Sequence, residues 1–324
     1  MRIIIAALCM LGPAFAAQAD FSWQLSGVVG QADRSEEGAE FESDLVALSA
    51  TYYFDAVEDG SGPNALAAFF DPTTQLSVAA SEDRQTSRLN GPGISAEVER
   101  DFSEYSLSGL YLLPTSRWYA GGRYSRPDSD FGLPPPGTSM APPTVVSTTD
   151  MEAYALFAGK YFGAGATRLQ LSLEQSKVEN ESFITFCTLT CVTVAATAES
   201  TTDTTRLDVM HVRRFRSATY ALLGGISETQ GRIAVSSTTI PVTGSEPEPF
   251  NAYFVGMELY PVPTIGVRLG YTRADGPVSE NEDVSVGASW FFRRNVGLEL
   301  TLSREDSEIV PRTDRAALRV IGRL

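Results

Sequence analysis

Alternation with a period of two residues runs through this chain and limits what it can fold into more tightly than any other feature. Val284, Val286, Ala288, Trp290 and Phe292 interleave with Ser285, Gly287, Ser289 and Phe291. After Arg293-Arg294-Asn295, a second segment sets Val296, Leu298, Leu300 and Leu302 on one face and Gly297, Glu299, Thr301 and Ser303 on the other. Successive side chains of a strand point to opposite faces, so such segments belong to a sheet that separates two unlike environments. A helix would scatter Leu298, Leu300 and Leu302 around its axis and leave no apolar stripe.

A tilted strand crossing a bilayer needs about 9–11 residues, and about fourteen segments of that length alternate in this way. They cover residues 21–31, 43–54, 73–83, 101–112, 117–126, 151–162, 167–178, 204–214, 218–228, 250–260, 264–273, 282–292, 295–304 and 313–324. Short links, such as Pro114-Thr115-Ser116, Phe215-Arg216-Ser217 and Pro261-Val262-Pro263, alternate with longer polar ones. Tight periplasmic turns and longer outside loops give that pattern, so the expected fold is all-β: a transmembrane antiparallel up-and-down β-barrel of about 14 strands, with 12–16 allowed. One link departs from it. Residues 55–72 should be a periplasmic turn yet form a long connection, and residues 65–70 read as a short apolar turn of helix, which marks a periplasmic plug or docking element, or else a miscounted strand pair.

Composition agrees once the alternation is known. The 324 residues carry 25 Lys plus Arg against 40 Asp plus Glu, a net charge of −15, which argues against a nucleic-acid partner. Mean hydropathy is close to zero, too low for a helical membrane protein and ordinary for strands that are half polar. Arg2, the apolar stretch 3–11 and Ala17-Gln18-Ala19 read as a secretory signal peptide over 1–19, leaving residues 20–324 as one barrel domain after export to the periplasm.

Tyr52, Tyr53, Phe54, Tyr111, Trp118, Tyr119, Tyr161, Phe162, Tyr260, Trp290, Phe291 and Phe292 gather at strand ends beside the short links, where interfacial girdles are expected. The final segment places Leu324, Gly322, Val320, Leu318 and Ala316 on one face and Arg323, Arg319 and Arg315 on the other. It resembles the terminal strand by which outer-membrane barrels engage the barrel-assembly machinery, with Leu324 where Phe or Trp is usual.

Little in the sequence supports catalysis or a cofactor. His211 is the one histidine, shares a face with Leu207 and Val209, and has no evident partner to orient it as a base. Cys187 and Cys191 are too few for a zinc site and read as a small disulfide ring in an outside loop. Channel chemistry would instead be written on the inner face. With the apolar parity turned to lipid, the lumen set is Arg117, Arg123, Lys160, Arg168, Arg206, Arg268, Arg315, Arg319 and Arg323, with Glu104, Glu152, Glu174, Asp208, Glu258 and Glu299. An Arg or Lys at the lipid midplane costs about 2–4 kcal/mol, so this consistent placement is informative. Acidic residues crowd the outside: Asp33, Glu36, Glu37, Glu40 and Glu42, then Asp275, Glu280, Glu282 and Asp283. There they either are simply solvated or bind divalent cations that bridge to lipopolysaccharide phosphates.

The stretch Thr51-Tyr52-Tyr53-Phe54-Asp55, with Gly62-Pro63 and Ala67-Ala68-Phe69-Phe70-Asp71, is similar to a segment of general bacterial porin-like proteins, and the mature chain as a whole resembles a Gram-negative outer-membrane porin. That resemblance implies passive diffusion of small hydrophilic solutes, with outer-membrane lipid and lipopolysaccharide as neighbours and a monomer or a homotrimer as the assembly. In porins the third outside loop often folds inward. By that resemblance the proline-rich stretch 127–149 offers Asp128, Asp130 and Phe131 as constriction residues. Two rival functions share the fold: a non-conducting structural or adhesive barrel, and a transporter of hydrophobic substrates, which would carry an apolar lumen and an N-terminal plug.

Overall fold

The computed structural model describes residues 20–36, 39–58, 62–91, 94–113, 115–132, 144–163, 166–187, 191–215, 218–237, 249–276, 280–307 and 312–324. The signal peptide read over 1–19 lies outside them, as do Glu37 and the proline-rich tip 133–143. The strands are β1 (Asp20–Glu36), β2 (Ala39–Glu58), β3 (Gln75–Gly91), β4 (Ile94–Leu112), β5 (Trp118–Gly132), β6 (Thr144–Phe162), β7 (Thr167–Cys187), β8 (Cys191–Phe215), β9 (Ala218–Ser237), β10 (Phe250–Val262), β11 (Ile265–Asp275), β12 (Glu280–Arg293), β13 (Val296–Ser307) and β14 (Thr313–Arg323). Each pairs antiparallel with its sequence neighbours, and β1 returns to β14, so the sheet is a closed barrel. Fourteen alternating segments in the sequence thus became fourteen strands in the same order. One short helix, α1 (Ala67–Phe70), follows a 3-10 turn over Asn64–Leu66 in the connection from β2 to β3.

The strands differ from expectation at their outer ends. Residues 167–178 and 204–214 were expected to be strand, yet the ladder continues to Cys187 and restarts at Cys191, with those two residues facing each other as Cα partners. Their side chains lie outside the described residues, so the disulfide stays an expectation. Asp33, Glu36, Glu40 and Glu42 likewise belong to the β1–β2 ladder and not to a loop. The apolar parity stops where lipid stops, but backbone pairing has no reason to stop there, because a hairpin tip joined tightly lets the hydrogen-bond ladder run on into water.

Parity divides the barrel wall. Leu48, Val78, Leu107, Leu156, Leu171, Ile226, Val255, Leu269, Val286 and Leu300 are all exposed on the outer face, which makes an apolar belt that only lipid can cover. Trp23, Phe54, Tyr111, Trp118, Phe162, Trp290 and Phe292 are exposed at its periplasmic edge. The girdle reading holds for these. It fails for Tyr53, Tyr119, Tyr161, Tyr260 and Phe291, which are buried inside the barrel. Adjacent aromatics near a turn have opposite parity, so only one of each pair can face the headgroups.

The buried rings need glycine on the strand beside them. Gly159 is the ladder partner of Tyr119, and a Cβ there would run into the Tyr119 hydroxyl and the Leu169 carbonyl oxygen. Phe291 lies over its partner Gly297 in the same way. We expect Gly159→Val to destabilise the barrel by about 1–3 kcal/mol, the usual cost of overpacking, measured as a lower midpoint of heat-modifiable mobility on gels.

Arg117 corrects a second expectation. It sits in the β4–β5 turn and not on the lumen wall, with φ 55°; its N–H donates to the Leu113 carbonyl and its own carbonyl accepts from Tyr161 N–H. A left-handed backbone costs an L-residue about 1–2 kcal/mol that glycine avoids. Arg117→Gly should therefore raise the unfolding midpoint while leaving any single-channel conductance unchanged.

Candidate functional site

The interior of the barrel has two zones, and the first is built by the long β2–β3 link. Its chain leaves β2, makes the 3-10 turn and α1, and enters β3 after Thr74. Asn64 N–H donates to the Pro263 carbonyl at 2.9 Å, in the β10–β11 turn. Counting round the closed ring, β10 is the strand diametrically opposite β3, so this bond places the link across the periplasmic mouth. Leu66 and Phe69 are buried there among Tyr119, Tyr161, Met210, Val212, Ala221 and Tyr260. The Phe69 ring meets Tyr161 edge-on at 5.8 Å. Ala67 packs on the other side against Phe21, Tyr53 and Val57. The link is anchored at its root as well: Asp55 N–H donates to Thr73 Oγ1 at 3.3 Å, Glu58 N–H to Asp71 Oδ2 at 2.8 Å and Leu112 N–H to Thr74 Oγ1 at 3.2 Å. Of the two roles read for residues 55–72, the geometry fits a plug. A short apolar turn of helix has no stability of its own and folds here because the aromatic ring of the barrel base covers it.

Above the plug, the inner parity is polar and charged. The residues expected in the lumen fall on this parity on eight strands: Glu104, Arg123, Arg168, Glu174, Arg206, Asp208, Glu258, Arg268, Glu299, Arg315 and Arg319. Nine of them, all but Arg168 and Glu174, take part in the ion pairs that follow. Arg123 Nη2 reaches Glu104 Oε1 at 2.9 Å, Arg206 Nε reaches Asp208 Oδ1 at 2.7 Å, and Arg268 Nε reaches Glu258 Oε1 at 2.5 Å. Arg319 Nη1 is 3.5 Å from Glu299 Oε2. Arg315 bridges Glu305 and Asp283. Sequence reasoning left Asp283 among the outside acids and missed Glu305. Both share parity with the inward Ser285 and Ser303, the signal that would have found them.

Three further placements are corrections. Lys160 lies on the outer parity, its ammonium over the Trp118 and Phe162 rings at 5.1 and 5.4 Å, as a snorkelling cation in the periplasmic girdle does. Parity on β6 is ambiguous in sequence because both faces are apolar: Phe157 and Tyr161 fill the interior while Tyr154 and Leu156 face lipid. Glu152 faces outward too, accepting from Tyr154 O–H at 3.0 Å. Finally, Asp128 and Asp130 belong to the barrel wall and not to an inward-folded loop. They are ladder residues of β5 on the outward parity, beside Arg126, whose guanidinium pairs with Asp150 at 3.3 Å. Phe131 has the inward parity, opposite Arg100; the side chains of Asp130 and Phe131 lie outside the described residues.

His211 has the outward parity read from the sequence, and its Nδ1 is 2.9 Å from Thr167 Oγ1. On the outer surface above the belt, charges pair along and across strands: Arg88 with Glu97, Lys177 with Glu179 and Glu199, Arg273 with Asp275, Glu280 and Glu282, and Arg304 with Asp314.

No protein-family model matches the chain, and no curated protein sequence matches it. Solved structures do match in fold. CymD, a monoaromatic hydrocarbon channel, aligns with a TM-score of 0.62 at 10% identity, over 97% of this chain and 92% of its own. The toluene transporter TodX of Pseudomonas putida aligns with a TM-score of 0.59 at 10% identity, over 98% and 93% of the two chains. Omp33 of Acinetobacter baumannii gives 0.52 at 14% identity, over 94% and 99%. At these identities the likeness is one of architecture, the closed up-and-down barrel of Gram-negative outer-membrane proteins.

Proposed function

We propose that the chain is a passive, non-enzymatic channel of the outer membrane for small hydrophilic solutes, restricted at its periplasmic mouth by residues 62–74. The observation that carries this reading is the accessibility of the inner charges. The Arg206, Arg268 and Arg315 side chains remain about half exposed although they face the barrel axis. A packed interior would bury them, and burying ions is costly unless every partner is in place. A wall of water-accessible ion pairs instead gives a polar solute hydrogen-bonding partners along its path. The outer ring of paired charges sits where lipopolysaccharide headgroups would lie, and we assign those lipids as its neighbours.

A second reading is transport of a hydrophobic substrate. What favours it is the aromatic and aliphatic cluster around Leu66 and Phe69, an apolar recess that a displaced plug would uncover, together with the fold shared with CymD and TodX. Against it stands the charged zone that an apolar solute would have to pass.

Planar-bilayer recording separates the two. The full chain should give discrete conductance steps, and Leu66→Ala with Phe69→Ala should raise open time or conductance several-fold, because truncating two buried side chains removes about 2–5 kcal/mol each of docking free energy. No steps from either protein would overturn the channel reading. Saturable binding of an apolar probe by the double variant, without steps, would favour the second.

A further inference from the structure

Arginines and carboxylates alternate along the inner wall, so a count of charges predicts a nearly neutral lumen. Accessibility breaks that balance. In the Arg268–Glu258 pair the arginine side chain keeps 50% of its exposure and the glutamate 5%. The values are 48% and 13% for Arg206–Asp208, and 39% and 15% for Arg319–Glu299. Arg123 is likewise more exposed than Glu104, and Arg315 more than Asp283 and Glu305.

On the outer surface the order is the opposite. Lys177 keeps 44% against 57% for Glu179, and Arg273 30% against 47% for Asp275. Arg88, Arg126 and Arg304 are also less exposed than their partners, while Arg84 and Asp101 are nearly equal. The length of an arginine side chain is the same inside and outside, so length does not explain the reversal. The inner carboxylates are held against the wall: Glu258 accepts from Tyr260 O–H at 2.6 Å as well as from Arg268. Both Glu258 oxygens are thus engaged, whereas a guanidinium has five N–H donors and spends only some of them on its partner.

We infer that the lumen selects small oxyanions, solutes bearing a carboxylate or a phosphate group, with Arg123, Arg206, Arg268, Arg315 and Arg319 as the specificity-determining residues. The inference rests on the channel reading. At these five arginines a solute meets positively charged N–H forks over less exposed carboxylates, with Glu174 the inward carboxylate that stays exposed among them. The fork geometry matches an oxyanion with two parallel hydrogen bonds. Each arginine is already partly neutralised by its wall partner, which keeps every site weak, and a series of weak sites permits conduction where one strong site would trap the ion.

The test is the reversal potential of the full-length protein, and of the Leu66→Ala/Phe69→Ala variant, under a salt gradient. In potassium chloride the anion should be favoured over the cation by about threefold or more, an effect of the size that a lined, low-dielectric pore can impose. Anion preference should persist in potassium acetate and in potassium phosphate. Arg206→Gln with Arg268→Gln should bring the ratio to one or below, and Arg304→Gln on the outer surface should leave it unchanged. Conductance steps with no preference, with cation preference, or with selectivity indifferent to the lumen substitutions would overturn the inference and leave the channel reading standing. A preference confined to chloride would overturn the oxyanion assignment, and complete absence of steps would remove both.

Discussion

In lipid, a sheet edge has nowhere to place its backbone donors and acceptors, and each unpaired group costs several kcal/mol. The seam between β1 and β14 is where this chain meets that demand. Eleven ladder positions run from Gln24 opposite Arg323 to Arg34 opposite Thr313. At the base, the Ser22 and Trp23 N–H groups both donate to the Leu324 carbonyl, and Leu324 N–H donates back to Trp23. The inner arginines of β14 cross the same seam: Arg323 Nε donates to Gln24 Oε1 at 3.2 Å and Arg319 Nη2 to Ser26 Oγ at 3.3 Å.

Closure gives the wall one inside and one outside, and every side chain must then suit one of them. On the outside, leucine, valine and isoleucine form the belt, and charge is admitted only at its edges. Lys160 over Trp118 and Phe162 marks the periplasmic edge, and the cross-strand ion pairs from Arg88 to Arg304 lie beyond the outer one. On the inside, charge is tolerated because Arg123, Arg206, Arg268, Arg315 and Arg319 each have a carboxylate beside them. That pairing offsets repulsion along the wall, while unequal exposure leaves the arginines the more accessible partners; in the proposed channel, stability and selectivity would draw on the same ion pairs.

The plug obeys a different logic. Residues 64–70 are too few to form a stable helix, and their apolar side chains are worth nothing in water. They are ordered because β6, β8, β9 and β10 bring Tyr161, Met210, Val212, Ala221 and Tyr260 to one level at the barrel base, with Pro263 across the mouth to receive Asn64. The glycines opposite the buried rings belong to the same arrangement, since Tyr119 can reach the plug only by lying over Gly159.

Strand order, strand number and most of the inner face were legible in the sequence, because the period-two pattern and the short links act between near neighbours in the chain. Arg268, Glu258 and Arg319 could be placed by counting alone, each lying mid-strand with apolar residues on both sides. Counting failed beside the turns and where both faces are apolar, as it did for Arg117, Lys160 and the inward rings of Tyr119 and Tyr161. The sequence also stopped each strand where the lipid requirement ends, although pairing continues to Cys187 and Cys191. It flagged the 55–72 link as anomalous but could not say what it would touch. That only the closed ring decides, because it brings together strands from opposite halves of the chain, and which member of each ion pair is the more exposed is decided by how the side chains pack on the finished wall.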